Sequence, residues 1–120
     1  MKFLSSKAHS AIDYFVVVFL WASPSIFGLN STVSLLTYSL GSVHLVLTVF
    51  TNFHFGIVKV IPVQIHGWIE LAVAVLLIIS PWVLGSLVPA ENLIDKYFFF
   101  GFGVVVLLTW MVTDYSTEAK

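Results

Sequence analysis

The chain has 120 residues, of which 59% are hydrophobic and 9% charged, with a net charge of −1. An average soluble domain is about 25% charged, so this chain cannot cover a water-facing surface, and its class is integral membrane protein. All basic residues are lysines and there is no cysteine, which excludes a phosphate-binding basic face for nucleic acid, disulfides and thiolate chemistry.

A membrane span needs about 20 mostly apolar residues. The first such segment is 9–28, HSAIDYFVVVFLWASPSIFG. Together with the preceding MKFLSSK it has the outline of a secretory signal, but Asp13 interrupts the apolar run and the same element recurs at 66–85. It is therefore expected to be a retained transmembrane helix. The second segment, 33–53, carries Gly41 and a mid-span His44. The third, 63–86, reads HGWIELAVAVLLIISPWVLG from His66. The fourth, 96–115, carries Phe98, Phe99 and Phe100, which read as lipid-facing or packed bulk, with Gly101 and Gly103. No segment alternates with period 2, and an open sheet cannot satisfy its backbone in lipid. The expected fold class is all-α, a four-helix transmembrane bundle in one domain over 1–120.

The first and third segments align without a gap at an offset of 57: His9 with His66, Asp13 with Glu70, Ser23-Pro24 with Ser80-Pro81, and Gly28 with Gly85. The second and fourth align at an offset of 62: Gly41 with Gly103, Thr51 with Thr113, Asn52 with Asp114, and Phe53 with Tyr115. The pattern predicts two tandem helical hairpins, repeat one at 9–53 and repeat two at 66–115, with the longer second turn around Val88-Pro89-Ala90-Glu91-Asn92.

Lys2, Lys7, Lys59 and Lys120 fall on one side of the spans and only Lys96 on the other. The positive-inside rule then puts both termini in the cytoplasm, in a cell (plasma or inner) membrane. Helices one and three run parallel, so the pseudo-two-fold axis lies along the membrane normal. Trp82, Tyr97, Phe53, Phe55 and Tyr115 are expected at the interfaces.

The residues with chemistry are few. His9 and Asp13 are four apart and share a helix face, as do His66 and Glu70. If helices one and three meet, two imidazoles and two carboxylates converge near the cytoplasmic boundary. That set suits a divalent metal or a proton relay, and the two imidazoles alone suit a bis-histidine haem. The competing reading is structural: each acid sits in a first turn favoured by the helix dipole, bonded to its own histidine or to Lys7 or Lys59. His44 reads as a buried histidine bonded to a neighbouring helix, or as a midplane ligand or proton carrier. Asn52 and Asp114, at matched inner ends, either join the cluster or end their helices in water. Pro24 and Pro81 each free a carbonyl, at Leu20 and Leu77, which Ser23 and Ser80 can help satisfy. They read as kinks or helix ends, or else as breaks lining a substrate cavity. Asn30-Ser31-Thr32 matches a glycosylation sequon, a weak pattern.

Ser80-Pro81-Trp82, with its partner Ser23-Pro24-Ser25, resembles the SPW-repeat family of small multi-pass membrane proteins. Other elements of the resemblance are His9 with Ile12-Asp13-Tyr14, Ile61-Pro62 before His66, and Gly85. Ser25 departs from the motif's Trp. The resemblance implies a four-helix protein of two hairpins and implies no catalytic activity.

No phosphate loop, zinc-protease motif or nucleophile elbow occurs. The first expectation is a non-enzymatic structural or accessory membrane subunit, acting as a homo-oligomer or with a membrane-protein partner. The alternatives are a metal-, haem- or proton-binding membrane protein built on His9, Asp13, His66 and Glu70, and a minimal oligomeric transporter or channel.

Overall fold

The computed structural model describes residues 2–84 and 92–116. Gly85, residues 88–91 of the expected longer second turn and Lys120 lie outside the described residues. The described chain forms four helices: α1 (Ser6–Phe27), α2 (Ser31–Val49), α3 (Val63–Leu84) and α4 (Leu93–Val112). Each is long and apolar enough to cross a membrane, and no strand occurs among the described residues. At 1.5 Å per residue, helices of this length span about 30 Å, the thickness of a hydrocarbon core. The molecule is a multi-pass membrane four-helix bundle.

Local chemistry sets the helix ends. Ser5 caps α1 by accepting from the Ala8 amide. Asn30 caps α2 through the Val33 amide, and Asn92 caps α4 through the Asp95 amide. Such side chains satisfy amides that have no partner within the helix. α1 stops at Gly28, whose φ of 61° is left-handed, and the amides of Gly28 and Leu29 both reach the Pro24 carbonyl. Pro24 and Pro81 lie inside α1 and α3, near their ends. Ser80 Oγ donates to the Leu77 carbonyl at 2.7 Å, the group Pro81 is expected to free. Ser23 Oγ donates instead to Phe19, at 2.6 Å, rather than to Leu20.

Helix α1 packs closely on α2, and α3 on α4, with looser contact between the hairpins. Gly41 and Gly103 make the close approaches. A Cβ at Gly41 would meet Trp21 at 2.8 Å, and one at Gly103 would meet Leu77 Cβ at 2.8 Å. Gly101 faces open space, so it is no packing residue. Lipid is as apolar as leucine, so close van der Waals contact and interhelical polar links hold such a bundle. One end of the interior is apolar, built from Leu29, Val33, Leu77, Phe98 and Phe99, so Phe98 and Phe99 are core. Asp95 bridges the hairpins there, accepting from the Asn30 amide at 2.8 Å. The other end is polar.

Candidate functional site

The polar end forms where α1 and α3 begin. Both His/acid pairs project from early turns, so the helices hold all four side chains at one level. His9 Nε2 lies 2.9 Å from Glu70 Oε2, and His66 Nε2 lies 3.1 Å from the same oxygen. Asp13 reaches both rings, with Oδ1 3.2 Å from His9 Nε2 and Oδ2 3.1 Å from His66 Nε2. One ligand atom from each of His9, Asp13, His66 and Glu70 falls within 4.8 Å of all the others. His9 and His66 are fully buried, and both acids are buried.

Two threonines fix the rings. His9 Nδ1 is 2.9 Å from Thr113 Oγ1, and His66 Nδ1 is 2.8 Å from Thr51 Oγ1. Each hydroxyl has one proton, and both are committed elsewhere. Thr51 Oγ1 donates to the Leu47 carbonyl at 2.6 Å, and Thr113 Oγ1 to the Thr109 carbonyl at 2.6 Å. Toward the histidines the hydroxyls therefore accept, so both rings carry Nδ1–H and turn Nε2 to the carboxylates. A donated second ring nitrogen is the usual support for a metal-bound imidazole.

Contacts around the centre correspond pair by pair at the sequence offsets. Leu4 N bonds Val112 O at 2.9 Å, as Ile61 N bonds Phe50 O at 2.8 Å. Asp114 N bonds Leu4 O, and Asn52 N bonds Ile61 O, both at 2.8 Å. These extended segments end α2 and α4 earlier than expected, at Val49 and Val112, and swing Thr51 and Thr113 inward.

Among the described residues, three buried side-chain polar atoms have no hydrogen-bond partner: Asp13 Oδ2, His44 Nε2 and the Tyr115 hydroxyl. All three border this centre. Asp13 Oδ2 is near His66 Nε2 yet the pair lacks hydrogen-bond geometry. His44 Nε2 stands 3.4 Å from Asp13 Oδ1, so His44 faces the cluster without a hydrogen bond through that nitrogen. Tyr115 packs its ring 5.4 Å from that of His9. Its burial, with Glu70 and Asp13 nearby, pushes the phenol above its ordinary range.

Other expected residues fall elsewhere. Asp114 is outside the cluster: its Oδ1 accepts from the Ser116 amide and hydroxyl, which hold the carboxyl below its ordinary range. At Asn52 the backbone amide pairs with the Ile61 carbonyl, and the preceding threonine reaches His66. Among the described residues Lys59 pairs with no acid; its ammonium donates to the Phe53 and His54 carbonyls. Phe53 is not interfacial but fully buried, its ring 5.2 Å from that of His66. Trp82 is 71% exposed. A haem does not fit between the imidazoles, because Glu70 Oε2 occupies the gap that the macrocycle would need. The prolines line neither space at the centre.

Two spaces border the cluster. A cavity of about 110 Å³ runs between the helices, with Asp13, His44 and Glu70 at its polar end and Leu20, Val73 and Phe102 among its apolar walls. A wider vestibule of about 470 Å³ lies at the helix ends, walled by Gln64, Trp68, Trp110 and Tyr115. The chain matches no family model, no curated protein and no solved structure.

Proposed function

We propose that this protein is a metal-binding membrane protein whose centre takes one first-row divalent cation through His9 Nε2, His66 Nε2, Asp13 and Glu70. The observation that carries this reading is the convergence of two tautomer-fixed Nε2 atoms on two buried carboxylates. A tetrahedral ion with bonds of about 2.0–2.2 Å sets its ligand atoms about 3.3–3.6 Å apart. The nitrogen–oxygen contacts of 2.9 Å, 3.1 Å and 3.2 Å are shorter than this, and one ligand atom from each residue lies within 4.8 Å of the others, so an ion would open some edges of the set and draw others in. Two imidazoles and two carboxylates suit zinc, iron or manganese better than calcium or magnesium, which prefer all-oxygen sets. Asp13 Oδ2, which makes no hydrogen bond, also supports an ion or water at this point, since buried polar atoms are normally satisfied.

An accessory-subunit role rests on missing enzyme motifs, whereas the metal reading rests on a built site, so it is preferred. The transporter reading draws on proline breaks, but α1 and α3 continue through Pro24 and Pro81. The pairwise contacts support a duplicated hairpin, and the Ser80-Pro81-Trp82 pattern supports kinship with the SPW-repeat family. The lysine distribution supports cytoplasmic termini in a plasma or inner membrane, with the centre at that face.

The test is elemental mass spectrometry on detergent-purified protein. Near-stoichiometric zinc, iron, manganese or copper in the wild type, lost in His9→Ala and His66→Ala, is expected. Metal retained in the double variant would refute the assignment.

A further inference from the structure

Phe53 and Tyr115 hold matched positions and both pack on the histidine rings, Phe53 nearer His66 and Tyr115 on His9, yet they differ in chemistry and surroundings. Phe53 is fully buried under a loop pinned by the Lys59 ammonium and the Gly56 amide, both bonded to the Phe53 carbonyl. Tyr115 is only partly buried and forms part of the vestibule wall. None of His9, Asp13, His66 or Glu70 lines the vestibule. Tyr115 is therefore the partition: one side of its ring looks onto the vestibule, and another meets His9.

Gly67 makes room for this partition. A Cβ at that position would meet the Tyr115 ring at 3.0–3.1 Å, and the matched residue in the first hairpin is Ser10. The phenol hydroxyl is buried near Thr113 and Glu70 yet makes no hydrogen bond of good geometry, an arrangement that costs free energy a phenylalanine would avoid. Sealing alone does not explain it. The route from the other space is poor for an ion: the inter-helix cavity is walled chiefly by Leu, Val, Ile and Phe, and a bare charge is costly in such surroundings. The vestibule instead offers Gln64, Ser116 and Asp114. Asp114 also offsets the charge of Lys2, whose ammonium lies over the Trp110 ring at 5.4 Å.

We propose that the cation reaches the centre from the helix-end vestibule through a closure formed by Tyr115, whose hydroxyl is the polar step between water and the Asp13/Glu70 carboxylates. This rests on the metal reading above. In that role the ring excludes water from the centre when closed, and the hydroxyl replaces one water of the ion's shell as it passes.

The test is release of Co²⁺ from the detergent-purified full chain, followed by its visible absorption after addition of excess chelator. Tyr115→Ala should keep one bound ion and release it about tenfold or more faster, a barrier change of roughly 1.4 kcal/mol. Tyr115→Phe keeps the ring and should release the ion more slowly than wild type, so the proposal remains testable if the alanine variant misfolds. Val106→Trp, which narrows the inter-helix cavity lined by Val106, should leave the rate unchanged. Wild-type rates in both Tyr115 variants, or slowing by Val106→Trp alone, would overturn the vestibule route while leaving the metal centre standing. A wild-type protein that takes up no Co²⁺ would remove the metal reading and this route with it.

Discussion

Replacing Thr113 by valine keeps the shape of the side chain and removes its hydroxyl. His9 Nδ1–H then loses the acceptor 2.9 Å away. A buried donor left without a partner costs about 1–3 kcal/mol. The ring can escape this cost by moving its proton to Nε2, where Glu70 Oε2 accepts it. That tautomer blocks the nitrogen that binds metal, so the cost appears as lost affinity instead. Loss of a supporting bond behind a metal ligand typically weakens binding about 10–100-fold, or roughly 1.4–2.8 kcal/mol, and the two magnitudes agree. The assay is competition for Co²⁺ or Zn²⁺ against a chromogenic chelator in detergent. Thr113→Val should weaken binding by that factor, and Thr113→Ser should restore most of it. Wild-type affinity in Thr113→Val would refute the argument that the threonine sets the tautomer. So would a serine variant as weak as valine.

The matched substitution Thr51→Val should weaken binding by a similar factor, because Thr51 holds His66 at 2.8 Å; the same competition assay reads it. Metal affinity should fall as pH is lowered, since protons compete for both Nε2 atoms, and a flat pH profile of Co²⁺ binding would argue against imidazole ligands. Gly103→Ala should destabilise the second hairpin by about 1–3 kcal/mol, because its Cβ would lie 3.0 Å from the Ala74 carbonyl and the Ile78 amide, which are backbone and cannot yield. Gly101→Ala, facing open space, should be neutral or stabilising, and thermal unfolding in detergent compares the two. Asp95→Ala should destabilise by about 1–3 kcal/mol, because the Asn30 amide loses its acceptor between the hairpins.

The helix count and the two His/acid pairs are legible in the sequence because lipid restricts the menu of folds and because i, i+4 spacing puts each pair on one face. What brings the pairs together is not local. It depends on how α1 meets α3, and no spacing within either helix states that. The threonines illustrate the same limit. Thr51 and Thr113 stand at matched positions, which was a visible signal, but the polarity of the next residues, Asn52 and Asp114, draws attention away from them. The extended pairing with Ile61 and Leu4 is what brings the threonines to the histidines. Phe53 reads as interfacial by its place at a span end, and is buried because the loop that follows folds back over it. Asp95 reads as a polar residue near Lys96, and is buried because Asn30 supplies an amide from the other hairpin.

The charge of the centre separates a metal role from a structural one. With Nδ1 protonated and Nε2 given to the ion, the imidazoles are neutral and the two carboxylates contribute −2. A divalent cation brings the sum to zero, which matters where a buried net charge is expensive. Asp13→Asn and Glu70→Gln each remove one negative charge with almost no change of volume. Removing one partner of a buried charge pair costs about 3–5 kcal/mol, on the order of 10²–10³-fold in affinity or more. Each single variant should weaken Co²⁺ binding by that order, and the double variant should hold no stoichiometric ion. Its rings remain neutral and its donors can be met by the amide oxygens, so it should still fold. If the acids served only to balance protonated imidazoles, the wild type would bind no more Co²⁺ than the double variant. Equal Co²⁺ uptake by the two proteins, measured at one pH in one detergent, would decide for the structural role.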